Sequence, residues 1–246
     1  MKKGFTLAEV LITLGIIGVV AALTAPALIQ NTGTAKVGPT LAKAVTTLEL
    51  ANQNMLTETE SSTIKAALSD TPNNNLLVRT KTYIEMLSNY MRISPYDANS
   101  GTPYSELIKN YNGENIAKGA PAGAVLYLAG AALNNECYAS NKDGLLYIIA
   151  CTGNIQNDDE KPLFKRTAAF VFIDINGKAK PNRIGKDVFA FTMLQNGTMV
   201  PFGSSSDSAS RNWQNGTTDK CNADEVTTGW SCAGSIFENG LKVIYQ

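Results

Sequence analysis

A chain of 246 residues that is 44% hydrophobic carries enough apolar material for a sizeable core, so wholesale disorder is excluded. Lys+Arg and Asp+Glu balance at 21 each, with no cationic cluster beyond Lys2 and Lys3, so a nucleic-acid surface is not indicated. Histidine is absent, which removes Ser-His-Asp and Cys-His nucleophiles, disfavours a catalytic zinc site, and leaves no reason to expect an enzyme.

The first element in the chain is an apolar helix. No charge occurs between Val10 and Ala35, and residues 10–29 are nearly all apolar. At about 1.5 Å per residue they reach about 30 Å, the thickness of a bilayer's hydrocarbon. Lys2 and Lys3 precede the segment, so the positive-inside rule keeps the N-terminus in the cytoplasm and exports the rest. A cleavable secretory signal ending near Ala25-Pro26-Ala27 and a plain membrane anchor both accommodate the apolar run. Neither explains Glu9, a carboxylate that is costly inside a membrane and is by default functional there. Gly15, Gly18, Ala22 and Ala25 permit close helix packing, and Pro26 removes a helical hydrogen bond, which predicts a kink.

The stretch "KKGFTLAEVLITLGIIGVVAAL" resembles the prepilin-type signal of type IV pilins and type II secretion pseudopilins. The resemblance implies cleavage by a prepilin peptidase between Gly4 and Phe5, followed by N-methylation of Phe5. It implies that Glu9 neutralises the N-terminal ammonium of a neighbouring subunit in a filament, an attraction that strengthens at low dielectric. The competing reading pairs Glu9 with its own amine, four residues away, or with lipid headgroups. The implied partners are the peptidase, sister pilin or pseudopilin subunits, assembly-platform membrane proteins and the membrane itself. The implied location is a single pass through the inner membrane with an extracytoplasmic head, later built into a filament. The corresponding division is a leader over 1–4, a transmembrane and polymerisation helix over 5–29, and a head over 30–246.

After a polar break at 30–35, apolar residues return at Val37, Leu41, Val45, Leu48, Ala51 or Asn52, and Met55. That spacing predicts a helix resuming to about Thr59, with Gly38-Pro39 a possible bend. Residues 61–80 read as a loop with one helical turn at 64–68, followed by helices at 81–91 and around 105–111. From Gly123 the pattern turns to strands, at 124–129, 136–139, 145–151, 168–175, 188–194 and 241–245. Asn-Gly at 196 and 215 reads as turns, and 202–220 as a surface loop. The fold class is therefore α+β: a long N-terminal helix packed on an antiparallel sheet, the order found in pilins.

Four cysteines form two local pairs, Cys137 with Cys151 across a hairpin and Cys221 with Cys232. In an exported head these suit two disulfides, where a cytosolic protein would keep free thiols. The segment from Phe172 to Gly203 looks like one found in some pseudopilin-like proteins, of which certain major members bind calcium beside their sheet. Asp174, Asn176 and Asp187, with Asn182 and backbone carbonyls, supply oxygens for such a site, and Gly177 permits the turn. The alternative is an ordinary loop in which Asn176-Gly177 turns and Asp187 caps the next strand.

Three functions compete. The first is a structural subunit of a type IV pilus-like or type II secretion pseudopilus filament. The second is a pilin-like subunit that takes up DNA or binds a surface ligand, and the third an exported enzyme on a secretory signal.

Overall fold

The computed structural model describes residues 6–69, 76–95, 108–114, 138–151, 167–177, 179–204, 221 and 228–245. Gly4, Phe5, Cys137, Asn215 and the strand expected at 124–129 lie outside them.

Helix α1 runs from Leu7 to Glu58 as a single element. The backbone stays helical over 30–35, without the break expected there, since Gln, Asn, Thr and Ala all tolerate helical backbone. Two different physical regimes share this helix. From Leu7 to Thr24 every side chain is exposed, the apolar ones included. From Val37 onward, Leu41, Ala44, Val45, Leu48, Asn52 and Met55 are buried at three- and four-residue spacing, which is one amphipathic face. Gly38 serves this packing, because a Cβ there would collide with the carbonyl of Leu241; it does not end the helix. The helix stops at Thr59, where Ser61 N–H donates to Leu56 O (2.9 Å) and Glu60 takes a left-handed φ of 50°.

A single turn, α2, spans Ile64–Ala67, capped by the Thr63 hydroxyl. Helix α3 covers Leu76–Leu87, earlier than the expected 81–91 at both ends. Its end falls where the Ser88 hydroxyl donates to Glu85 O at 2.6 Å, a local bond that competes with further helix. Where a helix was expected around 105–111, residues 108–114 instead form a turn, with Gly113 at φ 91° and Glu114 N–H on Asn112 Oδ1. A side-chain-capped turn at Asn112-Gly113 outcompetes a helix too short to nucleate.

The sheet is an antiparallel meander in chain order: β1 Ile93–Pro95, β2 Tyr138–Asn141, β3 Leu146–Cys151, β4 Thr167–Asp174, β5 Val188–Leu194 and β6 Met199–Pro201. Strand β4 is buried on both faces. Alternation sends Ala169, Val171 and Ile173 into the core shared with α1 and α3, and Phe170 and Phe172 into a second cluster with Trp230 and Phe202. The Asn196-Gly197 turn joins β5 to β6 as expected, with Gly197 at φ 84°. Strands β1 and β6 are too short to show an alternation in sequence.

The C-terminal segment overturns one expectation. Residues 241–245 are not a strand; they follow helix α4, Cys232–Glu238, and extend along the α1 side of the core. Helix α4 ends in a Gly240 turn, with Leu241 N–H donating to Ile236 O at 2.8 Å. Its sequence, "CAGSIFE", is rich in small residues and shows no clear period. Gly234 is required where α4 meets the β6 end, since a Cβ would strike backbone atoms of Phe202, Gly203 and Ser204.

Cys221 and Cys232 are joined by a disulfide, with Cα atoms 5.1 Å apart and a sequence separation of 11. A loop of that size contributes about 3 kcal/mol in the chain-entropy account. Replacing both cysteines by serine is therefore expected to lower the unfolding free energy by about 3 kcal/mol. Denaturant titration of the full chain in detergent, against the reduced wild type as control, measures this. Cys151 is buried at the end of β3, where its backbone N–H donates to the Thr80 hydroxyl at 3.1 Å.

Candidate functional site

Two regions hold the residues singled out by sequence. The first is the start of α1. Thr6 is its N-cap, and Glu9, at the third helical position, closes a reciprocal capping box. Glu9 Oε2 accepts from Thr6 N–H at 2.8 Å and from the Thr6 hydroxyl at 2.9 Å, while Glu9 N–H donates to Thr6 Oγ1 at 3.3 Å. Through these bonds Oε2 orients the carboxylate, and among the described residues Oε1 accepts no hydrogen bond. Thr6 was not singled out in the sequence, although the T-x-x-E spacing in "TLAE" is the signal for it. Farther along, the Thr13 and Thr24 hydroxyls return their protons to carbonyls one turn back, at 2.9 and 2.8 Å. Such bonds leave no side-chain donor unsatisfied on an apolar surface.

The second region is the β4–β5 loop, which brings Asp174, Asn176, Asn182 and Asp187 together. Asp174 and Asp187 are both buried. Asp174 Oδ1 accepts from Asn176 N–H at 2.9 Å. Asp187 Oδ2 accepts from Asn182 N–H at 2.8 Å and from Asn176 Nδ2 at 3.2 Å, and Oδ1 accepts from Arg183 N–H at 2.6 Å. Asp187 therefore organises the loop from inside, satisfying backbone donors that the turn leaves over. Burial pushes the Asp174 carboxyl up to about 8, with the nearby Asp187 charge adding to the rise against the loop's N–H donors. Burial also raises Asp187, opposed by its hydrogen bonds to Arg183, Asn182 and Asn176. For a calcium ion these residues supply two carboxylates and the Asn176 side-chain oxygen after an amide flip, and carbonyls would have to complete a shell of six to eight oxygens.

This loop also gathers cations that are scattered in sequence. Lys109 is tied to it by two backbone bonds, its N–H to Asn182 O and Ile184 N–H to its carbonyl, both 2.9 Å. Arg183 Nη1 donates to Tyr111 O at 3.3 Å, and Lys186 Nζ lies 4.5 Å from the centre of the Tyr111 ring. Sequence reading saw no cluster here, because Lys109 joins it only through the fold.

Residues 1–25 match the family described as the prokaryotic N-terminal methylation motif. The segment is thus a prepilin-type signal, the kind that type IV pilins and pseudopilins carry. No curated protein and no solved structure matches the chain. With this signal, the apolar helix and the antiparallel sheet behind it describe an α+β pilin-like precursor.

Proposed function

We propose that the chain is a structural subunit of a pilus-like or pseudopilus filament. In this reading a prepilin peptidase cuts between Gly4 and Phe5, Phe5 is methylated, and the subunit waits in the inner membrane before joining sister subunits outside it. The observation that carries the reading is the methylation motif over 1–25 leading into one helix whose first part is exposed and, Glu9 and two threonines apart, without polar side chains, and whose second part is half-buried in a head. An isolated helix exposing Leu7 to Thr24 is not stable in water, so it needs a bilayer or the flanking helices of other subunits. Mass spectrometry of the mature N-terminus in the native host is the test. The expected result is a chain starting at N-methylated Phe5; an intact Met1, or a start beyond Ala27, overturns it.

Calcium in the 174–187 loop is a second, separable reading, supported by two buried carboxylates bridged by Asn176. The expected result is a higher melting midpoint of the full chain in calcium than in chelator, a response that Asp187→Ala abolishes. Identical melts in both conditions mean that the loop's own hydrogen bonds suffice.

A further inference from the structure

Contacts along α1 fix which way the head points. Near its apolar end, α1 meets Leu241 at Gly38 and Asp143 at Lys43, the latter through an ion pair of 3.2 Å. Farther along, Glu49 accepts from Met199 N–H at 2.8 Å, and Asn52 donates to Gly197 O at 3.0 Å. Strand register places Leu146, Asp174 and Val188 side by side at one end of the sheet. That end is the one beside Asp143, and Gly177 packs so closely there that a Cβ would lie 2.6 Å from Gly144 O. The 174–187 loop therefore occupies the end of the head from which α1 continues into its exposed apolar stretch.

Lys109, Lys180, Arg183 and Lys186 stand at this end, Lys180 exposed and the others half-buried. Among the described residues none of the four has a carboxylate within ion-pair distance; the ion pair there is Lys43–Asp143. The acids beside them are spent or peripheral. Asp174 and Asp187 are buried and hydrogen-bonded within the loop, and Glu114 lies exposed at the edge of the 108–114 turn. Burial and the neighbouring Arg183 charge lower the Lys186 pKa against the opposing pull of Asp187, so Lys186 and Arg183 are held near one another despite their repulsion. The far part of α1 and the residue just beyond its end carry Glu49, Glu58 and Glu60.

Cations held near one another repel, and a counter-charge arriving from outside relieves what the buried Asp187 does not. The level of Gly38 is 14 residues beyond Thr24, or about 21 Å along the helix. Hydrocarbon and headgroups occupy part of that height, and the tilt common in membrane helices, about 20°, would lower the loop further when directed toward the sheet. The cluster then comes within about a Debye length of a lipid surface, about 8 Å at physiological salt.

We propose that Lys109, Lys180, Arg183 and Lys186 form a membrane-proximal surface that binds anionic phospholipid headgroups and rests the head on the bilayer before assembly. The inference rests on the membrane-anchored reading above. Phosphodiester headgroups supply what the cluster lacks, negative charge spread over a plane at the correct end of the head.

The test uses the full chain reconstituted in vesicles of phosphatidylcholine alone or with about a third phosphatidylglycerol. A water-soluble amine-acylating reagent and mass spectrometry then give the rate at each lysine, with Lys65 at the far end of the head as reference. On anionic vesicles Lys109, Lys180 and Lys186 are expected to react at least about threefold more slowly relative to Lys65. Full rates should return in about 0.5 M NaCl, where the Debye length is about 4 Å. Lys180→Gln with Arg183→Gln should relieve the protection at Lys109 and Lys186, and inorganic phosphate on neutral vesicles should not reproduce it. Equal rates on both vesicles overturn the proposal. So does protection independent of lipid charge, which assigns the surface to a neighbouring subunit. A chain that floats with neither vesicle fails earlier, at the membrane anchor itself.

Discussion

Glu9→Val is expected to leave membrane insertion and cleavage intact while incorporation into filaments falls by at least about tenfold, the factor that a lost charge pair in a low-dielectric bundle readily produces. Insertion should survive because valine makes the segment more apolar. Cleavage should survive because the bond between Gly4 and Phe5 is separated in sequence from the substituted side chain. Assembly should fail because the carboxylate that Thr6 orients through Oε2 is gone and no longer meets a neighbour's ammonium. The capping box complicates this variant, since valine also removes the acceptor for Thr6 N–H and its hydroxyl. Glu9→Gln separates the two roles. Glutamine can close a capping box as glutamate does, but it carries no charge. If both variants disappear from sheared filaments, charge pairing governs assembly. If Glu9→Gln enters filaments like the wild type, the carboxylate acts only as a cap and intersubunit neutralisation is wrong.

What could be read from the sequence divides along a physical line. Features set by neighbours within a few residues were legible: the apolar stretch, the Asn196-Gly197 turn, the helical turn at Ile64, and strands β3, β4 and β5 with their dense β-branched and aromatic residues. Features set by distant contacts were not. Residues 241–245 have strand composition, yet the turn at Gly240 delivers them to α1, where Gly38 leaves room for the Leu241 carbonyl. Polarity at 30–35 looked like an interruption because a soluble helix should keep one apolar face. This helix changes surroundings part-way along, so its periodicity lapses while its backbone does not. Lys109 is an isolated cation in sequence and a loop neighbour of Arg183 in space. The Asp174–Asp187 loop was recognised by its residue types, but the backbone donors that Asp187 satisfies appear only in three dimensions.

Asn52 illustrates the same limit and carries the second large expected effect. Its spacing put it on the buried face of α1 next to Ala51, where an amide has no evident reason to be. In the fold it joins three elements. Its Nδ2 donates to Gly197 O at 3.0 Å and lies 3.3 Å from Met193 Sδ, and its Oδ1 accepts from the Tyr83 hydroxyl at 2.6 Å. Tyr83 is itself fully buried on α3, with its hydroxyl 3.0 Å from the same sulfur. One side chain therefore satisfies the β5–β6 turn and the α3 tyrosine together, and its Cβ packs so tightly on Gly197 that a Cβ there would come within 2.6 Å. Asn52→Ala should destabilise the head by about 3–5 kcal/mol, from a cavity plus a buried carbonyl and a buried hydroxyl deprived of their best partner. Asn52→Leu restores volume but not the bonds, so it should recover only part of that loss. Adding Tyr83→Phe to Asn52→Leu removes the orphaned hydroxyl, so the double variant should be more stable than the sum of the singles by about 1–2 kcal/mol. Denaturant titrations of the four chains in detergent measure this coupling. Strict additivity would show that the Tyr83 hydroxyl does not depend on Asn52, and that the amide is retained for the turn at Gly197 alone.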